Sequence, residues 1–350
     1  MKAPELKQIK ISAEILILIT ELDEFKGRWA ATQALAPDRL IALRHIATIE
    51  SVASSTRIEG VQLTNSEIED LLRSSKKSFK SRDEQEVAGY AELMETIFTS
   101  FQDIHFTENY IKQLHYILLK HSKKDVNHCG SYKKFTNNVE AFGADGKSKG
   151  IIFQTATPFD TPQRMSELVE WTTLQIESKK LHPLLILASF IIVFLHIHPF
   201  QDGNGRLSRA LTTLLLLKMG YSYVSYSSFE RIIEENKDSY YLALRRGQIE
   251  LEKKSSDMSF WFLFFLKSMQ KQKKFLESKI KDELLIAKIH PLSVLIIETV
   301  KKYGSATISQ IVISTKANRN TIKLHLKNLI KAQTLTIEGS GRSTRYHLKK

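Results

Sequence analysis

Residues 183–206 read PLLILASFIIVFLHIHPFQDGNGR, and their reading decides the fold. The run 183–195 is apolar all round, which marks a helix buried among other helices rather than one lying on a surface. It is shorter than the ~20 residues that a membrane span needs. A second apolar stretch, LSRALTTLLLL, follows Arg206. The implied geometry is helix, tight loop, helix, with the loop at 198–205.

Outward from this centre the chain keeps a helical texture. Residues 11–50 and 64–101 carry apolar positions at three-and-four spacing with charges between them. From Gly130 to about Pro162 the texture changes to Asn, Gly, Asp and Lys around the short run Gly150–Gln154, with Asp145-Gly146 as a turn signal. A small β-hairpin is predicted there. Helical periodicity resumes from Pro162 to about Ile280, interrupted around Asp202 and between Gly220 and Ser228. The charged run 271–283 (KQKKFLESKIKDE) reads as an exposed linker helix. The predicted organisation is an N-terminal helical region (1–105), a core (106–270), a linker (271–285) and a C-terminal domain (286–350).

The tail is basic. From Ile286 onward it holds twelve Lys and Arg against two acidic residues, a net +10 of the chain's +13. Its pattern is three helices, Pro291–Lys302, Thr307–Ser314 and Asn318–Ala332, followed by two β-like stretches, 335–337 and 344–348, around Gly339-Ser-Gly341-Arg342. That order predicts a winged helix-turn-helix. In the third helix Ile322, Leu326 and Leu329 form an apolar stripe, leaving Arg319, Lys323, Lys327 and Lys331 outward to meet DNA phosphates. A protein-docking winged helix is the alternative. A single cysteine, Cys129, excludes an internal disulfide framework. With no secretory signal ahead of the first helix, a cytoplasmic address and no membrane partner are expected.

The loop carries chemistry. Gly203 and Gly205 lack Cβ atoms, so backbone N–H groups there can approach a ligand. The following helix adds its unpaired amides and the positive end of its dipole. Such a nest binds anions. Arg206 and Arg209, three apart, are predicted to lie over it as phosphate donors. Asp202 suits Mg²⁺, which prefers one or two carboxylates together with phosphate oxygens and water. His198 can take a hydroxyl proton near neutral pH. Phe200 is assigned to the core, with no chemical part.

His198-Pro-Phe-Gln-Asp-Gly-Asn-Gly-Arg206 with Arg209 resembles the complete signature of the Fic family, and the resemblance extends over roughly Lys7–Gln270. It implies a mainly α fold: a Fic helical core with a β-hairpin flap, here followed by the winged helix. It implies His198 as general base, Asp202 on Mg²⁺, and the amides of Gly203, Asn204 and Gly205 on the α and β phosphates. Arg206 and Arg209 would take the β and γ phosphates. AMP would pass from ATP to a Ser, Thr or Tyr hydroxyl of a protein, the chain itself included. Glycine at 205, where the kinase-like Doc branch has lysine, agrees with this. The flap backbone at Ile151, Ile152 and Phe153 would border the nucleotide and pair with the target as an added strand. Tyr240, Tyr241 and Gln248 resemble the family's adenine and ribose wall, with core packing as the alternative for the tyrosines. Ser55-Thr-Arg-Ile-Glu59-Gly60 resembles the inhibitory motif of autoinhibited members, although Thr56-x-x-Glu59 also reads as a helix capping box. Removal of AMP, and a DNA-binding regulator with a nucleotide-sensing core, are the rival functions. A homodimer is left open.

Overall fold

The computed structural model describes residues 10–31, 37–74, 79–142, 148–253, 257–287, 291–331, 333–339, 341 and 344–349. The chain divides between Leu276 and Glu277 into two compact units. The first is helical: α1 (Ala13–Ala31), α2 (Pro37–Ile58), α3 (Asn65–Arg73), α4 (Arg82–Ser100), α5 (Glu108–Leu119), α6 (Thr161–Ser178), α7 (Pro183–Ile197), α8 (Asn204–Lys218), α9 (Phe229–Glu235) and α10 (Lys237–Glu252), with α11 (Ser259–Ala287) reaching past the unit's end. The N-terminal region and the core expected from the sequence share this one unit.

α7 is the centre, and every residue from Leu184 to Ile197 is buried. α6, α8 and α10 pack against it. The approach of α10 is close: a Cβ on Gly247 would lie 2.2 Å from Ile192 Cδ1. Trp261 of α11 sends its indole N–H to Ala188 O (2.7 Å), so a wholly buried ring keeps its polar atom paired. Helix starts follow local chemistry. Thr64 and Glu67 form a capping box on α3, Ser81 caps α4, Thr107 caps α5, and Pro183 opens α7 behind a His182 cap. α6 stops at Lys179, which takes a left-handed conformation (φ 53°), a break that the continuous periodicity after Pro162 hides.

Between α5 and α6 stands an antiparallel hairpin of β1 (Val139–Phe142) and β2 (Ser148–Phe153), with Val139 opposite Phe153 and Glu140 opposite Ile151. The expected turn at Asp145-Gly146 lies outside the described residues.

The second unit holds α12 (Pro291–Tyr303), α13 (Ile308–Thr315), α14 (Arg319–Lys331) and the antiparallel pair β3 (Leu335–Glu338) and β4 (Arg345–Leu348). Its own core includes Ile296, Val300, Ile311, Ile322, Leu326, Leu329 and Leu335. Arg319, Lys323, Lys327 and Lys331 are exposed on the other side of α14. Arg342, expected at the hairpin tip, lies outside the described residues. Among the described residues no helix is long and apolar enough to cross a membrane.

Candidate active site

The loop between α7 and α8 begins at His198, which caps α7 in a left-handed conformation (φ 53°, ψ 61°) with its N–H on Phe194 O. A non-glycine residue held there costs about 1–2 kcal/mol, so its surroundings must impose the shape. They do. The Lys133 N–H donates to Pro199 O (2.9 Å), and Asn137 Nδ2 donates to Phe200 O (2.6 Å) and His198 O (3.4 Å). Asn204 closes the loop on itself, accepting the Phe200 N–H on Oδ1 (2.9 Å) and returning Nδ2 to Phe200 O (2.7 Å).

Beneath the loop, the wholly buried Phe200 ring stacks on His115 of α5 at 3.8 Å between centroids. His115 Nδ1 accepts the Gly130 N–H (2.9 Å), so its Nε2–H donates to Asp202 O (3.0 Å). Burial holds this imidazole neutral, with a pKa lowered to about 4.

His198 Nδ1 lies 3.4 Å from Leu195 O and donates to it, which leaves Nε2 as the proton acceptor. Burial, then the nearby Lys133 ammonium, lowers its pKa to about 4, so the base form prevails at neutral pH. Lys133 is itself buried between Asn137 Oδ1, Thr155 Oγ1 and Ile197 O, and burial lowers its pKa to about 8.

Gly203 (φ +80°) caps α8. A Cβ on Gly205 would lie 2.4 Å from Glu59 Oε1, so that carboxylate rests against the bare first turn of α8. Glu59 comes from the end of α2, where Val61 N–H reaches back to Thr56 O and Gly60 turns the chain with φ +108°. Thr56 Oγ1 bonds Val52 O and Ala53 O inside the helix, which rules out the capping-box reading of this segment.

Glu59 Oε1 meets Arg209 Nη2 at 2.7 Å, while Arg209 Nε and Nη2 also donate to Ser55 Oγ (2.8 Å) and Ser55 O (2.9 Å). Burial pushes the Glu59 carboxyl up, but Arg209 and then Arg206 more than offset it, and the group stays below the ordinary range.

Asp202 accepts the Gly203 N–H (2.5 Å) and belongs to a closed ring of alternating charge. Arg82 Nε pairs with Glu86 (2.7 Å), Glu86 with Arg206 Nη1 (2.9 Å), Arg206 Nη2 with Asp202 (3.2 Å), and Asp202 with Arg82 Nη2 (3.8 Å). Burial acts against the Asp202 charge, but Arg206 and the other cations dominate and hold its pKa low.

The loop, Glu59 and Arg209 line a cavity of about 1030 Å³ that α10 borders on another side. Residues 105–216 match the Fic/DOC family. The chain carries a Fic/DOC domain. It is similar to a protein adenylyltransferase Fic of Drosophila mojavensis, 28% identical over 230 residues, covering 65% of this chain and 42% of that protein. A Culex quinquefasciatus protein of the same name is 41% identical over 64 residues, 18% of this chain and 13% of that protein. The chain thus spans less than half the length of the curated relatives it matches. Among solved structures, a Fic family protein from Desulfovibrio desulfuricans G20 shares the fold (TM-score 0.62, 21% identity, 97% of each chain covered). So does Fic-1 from C. elegans (TM-score 0.60, 15% identity, 77% and 74% covered).

On the cavity wall stand His198, Asp202, Gly203, Asn204, Gly205, Arg209 and Phe153 from the matched residues, and Tyr240, Tyr241, Gln248 and Glu59 from outside them. Arg206 stands off the wall. The spacing argument that placed both arginines over the loop is corrected: each guanidinium has its own carboxylate, the buried Glu86 for Arg206 and the one-third-exposed Glu59 for Arg209, and they diverge. Ser55 lies behind Arg209. Ile151 and Ile152 belong to β2, and their side chains lie outside the described residues. Tyr240 both lines the cavity and packs among Tyr241, Trp261 and Phe264, so wall and core are the same residue here. His115, Lys133, Asn137, Glu86 and Lys237 escape a reading of the signature alone. Only their partners across the fold mark them.

Proposed function

We propose that this chain is a protein adenylyltransferase that moves AMP from ATP to a hydroxyl side chain of a protein, itself included, and that Glu59 restrains it. The observation that carries the reading is the loop on the cavity wall, where a neutral imidazole with an open Nε2 stands beside a glycine-faced helix N-terminus. His198 Nε2 takes the hydroxyl proton, the oxygen forms its bond to the α-phosphorus, and the bond between the α-phosphorus and the α,β-bridging oxygen breaks, so that the β and γ phosphates leave together as pyrophosphate. The amides of Gly203–Gly205 receive phosphate oxygens, and Arg206 acts through the orientation it gives Asp202.

Among the described residues no group of three or more His, Cys, Asp or Glu forms an all-protein metal cage. The Asp202 carboxylate, one-third exposed at the cavity, fits Mg²⁺ in the manner that ion prefers, with most of its ligands from phosphate and water. It would neutralise phosphate charge there. The hairpin of β1 and β2 would receive the target as an added strand.

The test is incubation with α-labelled ATP and Mg²⁺, comparing the parent with His198→Ala. The variant is expected to lose about 10²–10⁴-fold in transfer while still binding ATP. Equal labelling by the two would remove His198 from the reaction.

The second unit is proposed to bind duplex DNA through Arg319, Lys323, Lys327 and Lys331, all exposed on one side of α14. Mobility shift of duplex DNA by the full chain is expected to weaken steeply as salt rises. No shift at low salt would favour a protein partner for the tail.

A further inference from the structure

We infer that Lys237 is a ligand for the terminal phosphate of the bound nucleoside triphosphate, and that it serves while Glu59 occupies Arg209. The inference rests on the cavity being the nucleotide site proposed above. Lys237 opens α10 and lines that cavity. Its ammonium donates to Ile58 O at 2.7 Å, the carbonyl of the residue before Glu59. An ammonium has three N–H donors, and this bond uses one.

The same turn carries the carboxylate that rests over Gly205 and pairs with Arg209. Lys237 therefore brings positive charge to the cavity end where Arg209 stands, but from α10 rather than α8. Arg209 Nε and Nη2 are committed to Ser55 and Glu59. A triphosphate entering this arrangement meets an occupied arginine beside an ammonium with donors to spare.

Along α10, Lys237, Tyr241 and Arg245 recur every four residues and line the cavity. Arg245 stands about 12 Å further along the helix axis, at 1.5 Å per residue. Of the two basic residues that α10 gives the wall, Lys237 is the one beside Glu59. The consequence is nucleotide binding that survives inhibition, with the terminal phosphate held on α10 and the α-phosphate displaced from the line of attack.

The experiment measures ATP and AMP binding by calorimetry on the full chain, for the parent, Lys237→Met and Lys237→Arg, each also with Glu59→Gly. Lys237→Met is expected to weaken ATP about tenfold and to leave AMP within about twofold, while Lys237→Arg stays near the parent. With Glu59→Gly the loss should shrink to about threefold or less, because the released Arg209 takes over the phosphate. Unchanged or tighter ATP binding in Lys237→Met, or equal losses for ATP and AMP, would reduce Lys237 to a hook on the end of α2. A loss as large with Glu59→Gly as without it would overturn the link to the Glu59 pair. A parent that binds no ATP would overturn the nucleotide-site reading first, and the Lys237 assignment with it.

Discussion

The loop at 198–205 and the end of α2 meet in one cavity but are held in different ways. The loop is over-determined. Lys133, Asn137, His115 and Asn204 bond its backbone, and Phe200 anchors it in the core. The end of α2 meets α8 through Ser55 and Glu59, both on Arg209, and is held further by Arg57 on Glu234 (2.6 and 3.0 Å) and by Lys237 on Ile58 O. The loop is fixed through its backbone and its core anchor, whereas the Glu59 side chain, one-third exposed, is held by its pair with Arg209. Such a side chain can be released without unfolding the site.

Breaking the rigid region should cost most. Phe200→Ala removes a wholly buried ring and its stack on His115, and is expected to destabilise the fold by about 3–5 kcal/mol in denaturant titrations, with AMP transfer lost alongside. A loss below ~1 kcal/mol would mean that the loop is not anchored there.

The next effect is a pH dependence. His115 and His196 are buried imidazoles whose pKa falls to about 4, against 6.5 when free. Between those values the unfolded chain takes up protons that the fold refuses. The stabilising contribution is therefore whole above pH 6.5 and is lost progressively as pH falls towards 4, by about 1.4 kcal/mol per pH unit for each ring. His196→Phe is expected to flatten the fall of melting temperature across this window. An unchanged slope would show that His196 does not titrate with unfolding.

The smallest effect on stability belongs to the loosely held region. Arg57→Ala removes a half-buried pair with Glu234 and should cost about 1 kcal/mol or less. AMP transfer should nevertheless rise several-fold, as the turn carrying Glu59 loosens. A fall in transfer, with the fold intact, would place Arg57 outside the restraint.

Much of this contrast is legible in the sequence, for identifiable reasons. α7 can be read because the run 183–195 is apolar but for Ser189, and the loop because a histidine, a carboxylate and two glycines stand within eight residues between two apolar helices. The divergence of Arg206 and Arg209 could not be read, because helical spacing gives a side chain's direction but not the carboxylate that captures it. Glu86 lies 120 positions before Arg206 in sequence. His115 shows the same limit: within the apolar pattern of α5 it looks like any half-hidden polar residue, and only Gly130 and Asp202 give it a purpose. Tyr240 could not be divided between core and wall by periodicity, since it belongs to both.

The most direct test is a double-mutant cycle on Glu59 and Arg209, reading initial rates of AMP transfer from α-labelled ATP in the parent, Glu59→Gly, Arg209→Ala and the double variant. Glu59→Gly is expected to transfer AMP much faster than the parent with little change in ATP affinity. The double variant is expected to lose most of that gain, because the freed guanidinium is what aligns the phosphates. A folded Glu59→Gly protein that transfers no faster than the parent, or a double variant that keeps the whole gain, would contradict the account.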